Sequence, residues 1–333
     1  MRAAVLVAPE TIEMQERPVP TPQAGDVLVR VSSVGVCGSD THYYRHGRLG
    51  SFVVESPLVL GHEAAGTIVG VGAGVDSARI GERVSIEPQR PDPDTEETRR
   101  GHYNLCPHMQ FYATPPIDGA FCDYVTIGAG FAHPVPDTVS DDAAALCEPL
   151  SVGIAAIRKA GVGGGHRVFI AGAGPIGIVI AQLAHAYGAT EIIVSDPDEA
   201  RRRQVLGFGA TSVLDPTDGP PGDLGVDAFI DASGAPSAVS AGIRTVRPAG
   251  SVVLVGSGAE TMELPTQVIQ NRELVLTGIF RYANTWPTAI ALIESKRVDV
   301  DAMVTARFPL EQAAEALNAD RTPGSVKAVV RVS

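Results

Sequence analysis

Four residues in the first half of the chain have the chemistry of metal ligands. Cys37 lies in VCGSDTHYY, His62 and Glu63 stand side by side in GHEAAG, and Glu148 lies in CEPLSVG. A thiolate, an imidazole and one or two carboxylates suit a zinc ion with a position left open for water or substrate. Glycines beside Cys37 and His62 place both on turns, where functional groups tend to sit. Taken singly, each residue also has an ordinary reading. A buried cysteine is commonly a small apolar filler, and a lone histidine or glutamate is commonly a hydrogen-bonded core or surface residue.

A second chemistry is written in the stretch from Arg167 to Asp196, RVFIAGAGPIGIVIAQLAHAYGATEIIVSD. Val168 to Ala171 reads as a strand buried on both faces. Gly172, Gly174 and Gly177 follow in the G-x-G-x-x-G spacing, then a helix to about Tyr187 and a strand from Ile192 to Ser195. Gly172 permits a tight turn, Gly174 lets the backbone approach a pyrophosphate, and Gly177 lets helix and strand pack closely. Free N–H groups at the helix start face the phosphates. Asp196 falls where a carboxylate accepts hydrogen bonds from a ribose 2′-hydroxyl, and it would meet a 2′-phosphate as like charge, so NAD is favoured over NADP. Arg201 could soften that repulsion, or could belong to a solvated helix face in its RRR run.

The elements that must position these groups fall into two styles. The first half has short β-type runs divided by Gly and Pro, at Asp26 to Ser33, Ala65 to Val71, Arg83 to Glu87 and Phe121 to Ile127, which suggests a compact barrel-like unit. From about Ser151 helix and strand alternate, with strands expected at Ser212 to Leu214, Asp227 to Asp231, Ser251 to Gly256 and Glu273 to Ile279. That alternation predicts an α/β fold with a doubly wound parallel sheet. Pro216 to Gly225 reads as a surface loop. The tail from Trp286 reads as an amphipathic helix, Arg307 to Leu310, another helix and a strand from Val326 to Val332.

A chain of 333 residues is long enough for two domains with real cores. A net charge of −12 and a pI near 5.1 argue against nucleic acid or an anionic membrane as the main partner. The opening residues lack the long apolar core of a signal peptide. The uncharged run from Val168 to Thr190 is long enough to mimic a membrane helix, but its glycines and Pro175 fit strand, turn and helix better. Cys37, Cys106, Cys122 and Cys147 form no CxxC pair, which points to a reducing cytoplasm.

Several stretches together resemble the zinc-dependent medium-chain dehydrogenases, and within them the sorbitol (polyol) dehydrogenase branch. They are CGSDTHYYRHGRLG, GHEAAGTIVGVG, ATPPIDGAF, CEPLSVG, GAGPIG and FRYANTWP, and they span nearly the whole chain. The resemblance implies a GroES-like β-rich catalytic domain made from both chain ends, 1–150 and 285–333, and a Rossmann domain over 151–284. It implies that Cys37, His62 and Glu63 are catalytic zinc ligands. Glu148 would bind the zinc water or the metal itself, with a part in catalysis and in substrate binding. Asp40 would fix the His62 tautomer, or simply stabilise its turn. Ser39 and His42 resemble a proton relay. Tyr43, Arg281 and Tyr282 resemble residues lining a polyol pocket, where several hydroxyls need donors and acceptors. For Arg281 a salt bridge or domain-interface role is the alternative. Around the glycine turn the resemblance adds Pro175 and Ile176 to the cofactor contacts, together with Val255, Gly256, Ser257, Ile279, Phe280 and Arg281.

One departure is informative. Related enzymes often carry a structural zinc on four closely spaced cysteines, whereas EPQRPDPDTEETRRGHYNLCPH has only Cys106. Four thiolates cannot be assembled, so one catalytic zinc and no structural zinc are expected, with Gln89 to Arg100 left as an exposed loop. The activity implied is NAD-dependent oxidation of a sorbitol- or xylitol-like polyol to a ketose, in a homotetramer or homodimer. A relative acting on threonine, an aldonate or a cyclitol is the alternative within enzymes; a non-catalytic nucleotide-binding protein of this fold is the alternative outside them.

Overall fold

The structure is a computed structural model and describes residues 1–332. The chain forms two compact units. One comprises Met1–Glu148, Trp286–Glu294 and the residues from Val300 onward; the other comprises Pro149–Thr285 and Ser295–Asp299.

The first unit is built around strand Asp26–Gly35. Alternation in DVLVRVSSVG turns Val27, Val29 and Val31 inward and leaves Arg30 in solvent. This strand sits centrally in a sheet whose order is Ala132–Pro134, Arg83–Ile86, Glu63–Val71, Asp26–Gly35, Lys327–Arg331 and Val304–Pro309, with Tyr124–Gly128 also paired to it. Every pair is antiparallel except the last two strands of that order. Gly35 stands opposite Glu63 on one neighbour and opposite Val329 on the other. Leu6, Leu60, Ile68, Phe121 and Leu317 are among the side chains that fill the core over which these strands close.

The segment expected to be an exposed loop is built into this unit instead. Gln89–Arg90 pairs with Gln110–Phe111, and Glu96–Arg99 is a helical turn capped by Thr95. Gln89 is fully buried. The guanidinium of Arg90 reaches both carboxylate oxygens of the buried Asp26 at 2.9 and 3.1 Å. A buried carboxylate needs such a partner, and composition alone does not reveal it.

In the second unit the strand order is Ser212–Leu214, Glu191–Ser195, Arg167–Ala171, Val226–Asp231, Val246–Leu254 and Val275–Gly278, all parallel. The chain works outward from Arg167–Ala171 in one direction, then returns to start the other half at Val226–Asp231. Ligands of such sheets bind at the carboxyl ends of the strands beside this reversal. Strand Val246–Leu254 begins five residues before the apolar run expected at Ser251, because Arg247, Pro248 and Ala249 are exposed and give no hydrophobic signal. Helix Pro175–Ala186 is buried over most of its surface, which explains its apolar run. Among the described residues no helix is long and apolar enough to cross a membrane.

Asp227 ties this unit together. Its carboxylate accepts from the Arg167 N–H at 2.7 Å and from Arg247 Nε at 2.6 Å. Burial alone would raise the carboxyl, but those two donors outweigh it and hold it below its ordinary value. A depressed carboxyl stabilises the fold above its unfolded-state pKa, and that contribution disappears as pH falls through the folded value. Asp227→Asn is therefore expected to cost about 1 kcal/mol or less at pH 7, with the difference closing below about pH 4. Thermal unfolding followed by circular dichroism at the two pH values checks this; a difference that does not change with pH contradicts it.

Candidate active site

Cys37 sits just past the end of strand Asp26–Gly35, in extended conformation, and opens helix Gly38–His46. Three residues on, Asp40 is fully buried and turns back. Its Oδ2 accepts from the Cys37 N–H at 3.1 Å, its Oδ1 accepts from the Gly61 N–H at 2.9 Å, and Oδ1 lies 3.4 Å from His62 Nδ1. One carboxylate thus ties the Cys37 turn to the His62 turn. Gly61 has a φ of +87°, which a side chain would strain. With Nδ1 facing Asp40, the hydrogen-bond network assigns the proton to Nδ1 and leaves Nε2 as the donor to a metal.

The same contacts set the electrostatics of the pair. Burial alone would raise the Asp40 carboxyl; His62 and the two N–H groups outweigh it and hold the carboxyl low. Burial alone would depress the His62 imidazolium, yet Asp40 and Cys37 outweigh it, and the group is raised well above its ordinary value. The pocket therefore favours positive charge at this imidazole, whether a proton or a metal ion supplies it.

Glu63 opens strand Glu63–Val71, and its carboxylate is fully buried. Oε1 accepts from Lys327 Nζ at 2.5 Å, while Oε2 has no hydrogen-bond partner. A buried carboxylate oxygen left without a partner is costly unless something absent from the protein itself meets it. One ligand atom each from Cys37, His62 and Glu63 lies within 4.8 Å of the others. The donor set and the orphaned oxygen fit a zinc ion held by three protein ligands.

The other residues singled out in this unit fall around the cluster in different ways. Glu148 lies buried in the first turn of helix Cys147–Ala160 and stands outside the three-residue group. Burial alone would lower the Lys327 ammonium, but Glu63, with smaller contributions from Cys37 and Glu148, outweighs it and raises the group. On helix Gly38–His46, Ser39 is half-buried, His42 is exposed and Tyr43 is packed in the core. Lys327 gave no signal in the sequence beyond a single cation heading an apolar strand.

In the second unit the glycine turn has the geometry its spacing implies. Gly172 has a φ of +98°, and a Cβ on Gly177 would stand 1.9 Å from the Gly172 carbonyl oxygen. A Cβ on Gly174 would meet no protein atom within 4 Å, so the space above the turn is open. Pro175 and Ile176 begin the helix that follows. Asp196 Oδ2 accepts from the Ala173 N–H and Oδ1 from the Asp198 N–H, each at 2.9 Å, so this carboxylate also braces the turn. Arg201 is exposed; its neighbour Arg202 turns inward to the Asp196 carbonyl and to Asp215. Val255, Gly256 and Ser257 directly follow strand Val246–Leu254, whereas Ile279, Phe280 and Arg281 follow the edge strand Val275–Gly278. Arg281 has a φ of +56° and lies over the Phe280 ring, and Tyr282 is buried.

Asp231 is a further organiser that sequence reading missed. It ends strand Val226–Asp231, and its carboxylate accepts from the Ser233 and Gly234 N–H groups. Its carbonyl accepts from Val255 and Gly256. The signal was present as an acidic residue closing an apolar strand before Ser-Gly.

Comparison with known proteins places this geometry in a family. Residues 23–137 match the alcohol dehydrogenase GroES-like domain, and residues 175–295 match the zinc-binding dehydrogenase domain. The chain is 43% identical to human sorbitol dehydrogenase over 322 residues, covering 94% of this chain and 90% of that protein. A short chain alcohol dehydrogenase of Escherichia coli complexed with NADH superposes with a TM-score of 0.94 at 28% identity, over 100% of this chain and 99% of that one. A zinc-binding dehydrogenase of Sinorhizobium meliloti bound to NADP superposes with a TM-score of 0.92 at 28% identity, over 99% of each chain. The chain belongs to the zinc-dependent medium-chain dehydrogenase/reductase superfamily, in its sorbitol dehydrogenase branch.

Proposed function

We propose that this protein oxidises a polyol of the sorbitol or xylitol type to the corresponding ketose, with NAD as hydride acceptor and one zinc per chain. The observation that carries the reading is the buried, unpartnered Oε2 of Glu63 grouped with Cys37 and His62. Likeness to human sorbitol dehydrogenase supports the substrate class. When bound, the metal supplies Lewis acidity toward a hydroxyl and the nicotinamide supplies a hydride-accepting ring.

The chain's own residues do the rest. Cys37, His62 and Glu63 hold the metal, and Asp40 keeps His62 in the tautomer that can do so. Glu148 orients water or the substrate hydroxyl. The hydroxyl proton leaves by way of Ser39 Oγ and the His42 imidazole to solvent, a route supported by the half-buried position of the first and the exposure of the second. Tyr43, Arg281 and Tyr282 pair the remaining hydroxyls of the polyol, so that a simple alcohol leaves them unsatisfied. Gly172, Gly174 and Gly177 cradle the pyrophosphate and Asp196 takes the ribose hydroxyls. The remaining cofactor contacts are assigned to Pro175, Ile176, Arg201, Val255, Gly256, Ser257, Ile279, Phe280 and Arg281. The catalytic domain is assigned to 1–150 and 285–333, and the cofactor domain to 151–284. A structural zinc is left out because Cys106 stands alone in its segment, its sulfur accepting from the Asp92 N–H at 3.3 Å. A homotetramer or homodimer is assigned on the exposed edge strand Val275–Gly278, where Val275 is 59% exposed.

NADH formation at its absorbance band, measured across sorbitol, xylitol, ribitol, galactitol, threonine, an aldonate, a cyclitol and ethanol, tests the function. Turnover of one or more of the open-chain polyols is expected, with ethanol a poor substrate; turnover of threonine, the aldonate or the cyclitol alone moves the protein to a different substrate class. Asp196→Ala is expected to raise the KM for NAD on the order of tenfold and to shrink its preference over NADP by a similar factor, from the loss of a charged hydrogen bond. Unchanged constants for both cofactors contradict the role given to Asp196.

A further inference from the structure

The surroundings of Glu63 determine how many oxygens it can offer a metal. Lys327 heads strand Lys327–Arg331, is 3% exposed, and donates from Nζ to Glu63 Oε1 at 2.5 Å and to the Val36 carbonyl at 2.8 Å. The second of these bonds anchors the ammonium to backbone, so it cannot follow the carboxylate if Glu63 rotates. On the other side, the absence of a side chain at Gly35 makes room for Oε2: a Cβ there would stand 2.0 Å from it. The register that sets Gly35 against both Glu63 and Val329 brings the three parts together.

We propose that Lys327 is a positioning residue that keeps Glu63 a one-oxygen ligand, holding Oε1 so that only Oε2 is available to the metal. This rests on the reading of Glu63 as a metal ligand. A carboxylate can bind a cation through one oxygen or through both. A catalytic zinc site needs an unfilled position. If Oε1 were released, it would be a buried acceptor without a donor, and the metal would be the cation nearest to hand. Chelation through both oxygens would then fill the position the substrate hydroxyl requires. The ion pair thereby preserves a vacancy rather than adding stability alone, and Gly35 is its counterpart on the second oxygen.

Cobalt(II) in place of zinc reports this directly, because its visible bands are intense in four-coordinate sites and weaker in five-coordinate ones. Lys327→Met is expected to lose visible-band intensity while still taking up cobalt and binding NADH as before, and Lys327→Arg is expected to recover the original spectrum. Glu63→Gln separates the two claims. If the unaltered protein takes up no cobalt, or Glu63→Gln changes neither uptake nor spectrum, the ligand reading fails. If Glu63→Gln changes them but Lys327→Met keeps the original spectrum, the role of Lys327 is overturned and the ligand reading stands. Should Lys327→Met not fold, a crystal structure of the unaltered, zinc-bound protein decides. One Glu63 oxygen on the metal and the other on Lys327 is expected; both on the metal overturns the proposal.

Discussion

A carboxylate removed from water must be met by donors or cations, and two fully buried carboxylates, Asp40 and Glu63, organise the chemistry of this protein. Asp40 is met completely, by two backbone N–H groups and an imidazole. Glu63 is met on one oxygen only. Asp40 therefore fixes the shape of the pocket, drawing the turns of Cys37 and His62 toward one point. The unmet oxygen of Glu63 is the one the proposed metal ion would meet. The central sheet of the first unit serves both, because register along Asp26–Gly35 sets where Glu63 begins and where Lys327 arrives.

The same economy appears in the second unit. Asp196 braces the glycine turn through the Ala173 N–H and retains further lone pairs, which the proposed ribose contact would use. Asp231 secures the neighbouring strand ends by accepting from Ser233 and Gly234 through its side chain and from Val255 and Gly256 through its carbonyl. Rigid backbone at the carboxyl ends of a parallel sheet is what a dinucleotide needs, because its phosphates are bound by N–H groups whose positions the fold has already fixed.

How much of this was legible in the sequence depended on whether a residue advertises its partner. Gly172, Gly174 and Gly177 announce their roles by spacing, and the parallel sheet follows from alternating helix and strand. Cys37, His62 and Glu63 could be nominated from their chemistry and their glycine-flanked turns. What sequence could not supply was the partner of each charge. Lys327 lies 264 residues from Glu63, and a single lysine at the head of an apolar strand looks like a strand end. Gln89 and Arg90 sat in a Pro- and charge-rich stretch that reads as solvent-exposed, yet Asp26 draws Arg90 inward. Strand Val246–Leu254 concealed its start because its first turnward residues face water. In the first two cases a long-range pairing overrode a local pattern; in the third, exposed residues hid a strand.

The claim on which the account turns is that Cys37, His62 and Glu63 form a single metal centre and that the chain has no other. Zinc content of the purified protein and of Cys37→Ser, by elemental mass spectrometry against protein concentration, tests it most directly. About one zinc per chain in the unaltered protein and a near-complete loss in the variant are the predicted results. Two zincs per chain, or zinc retained in full without the Cys37 thiol, would contradict it.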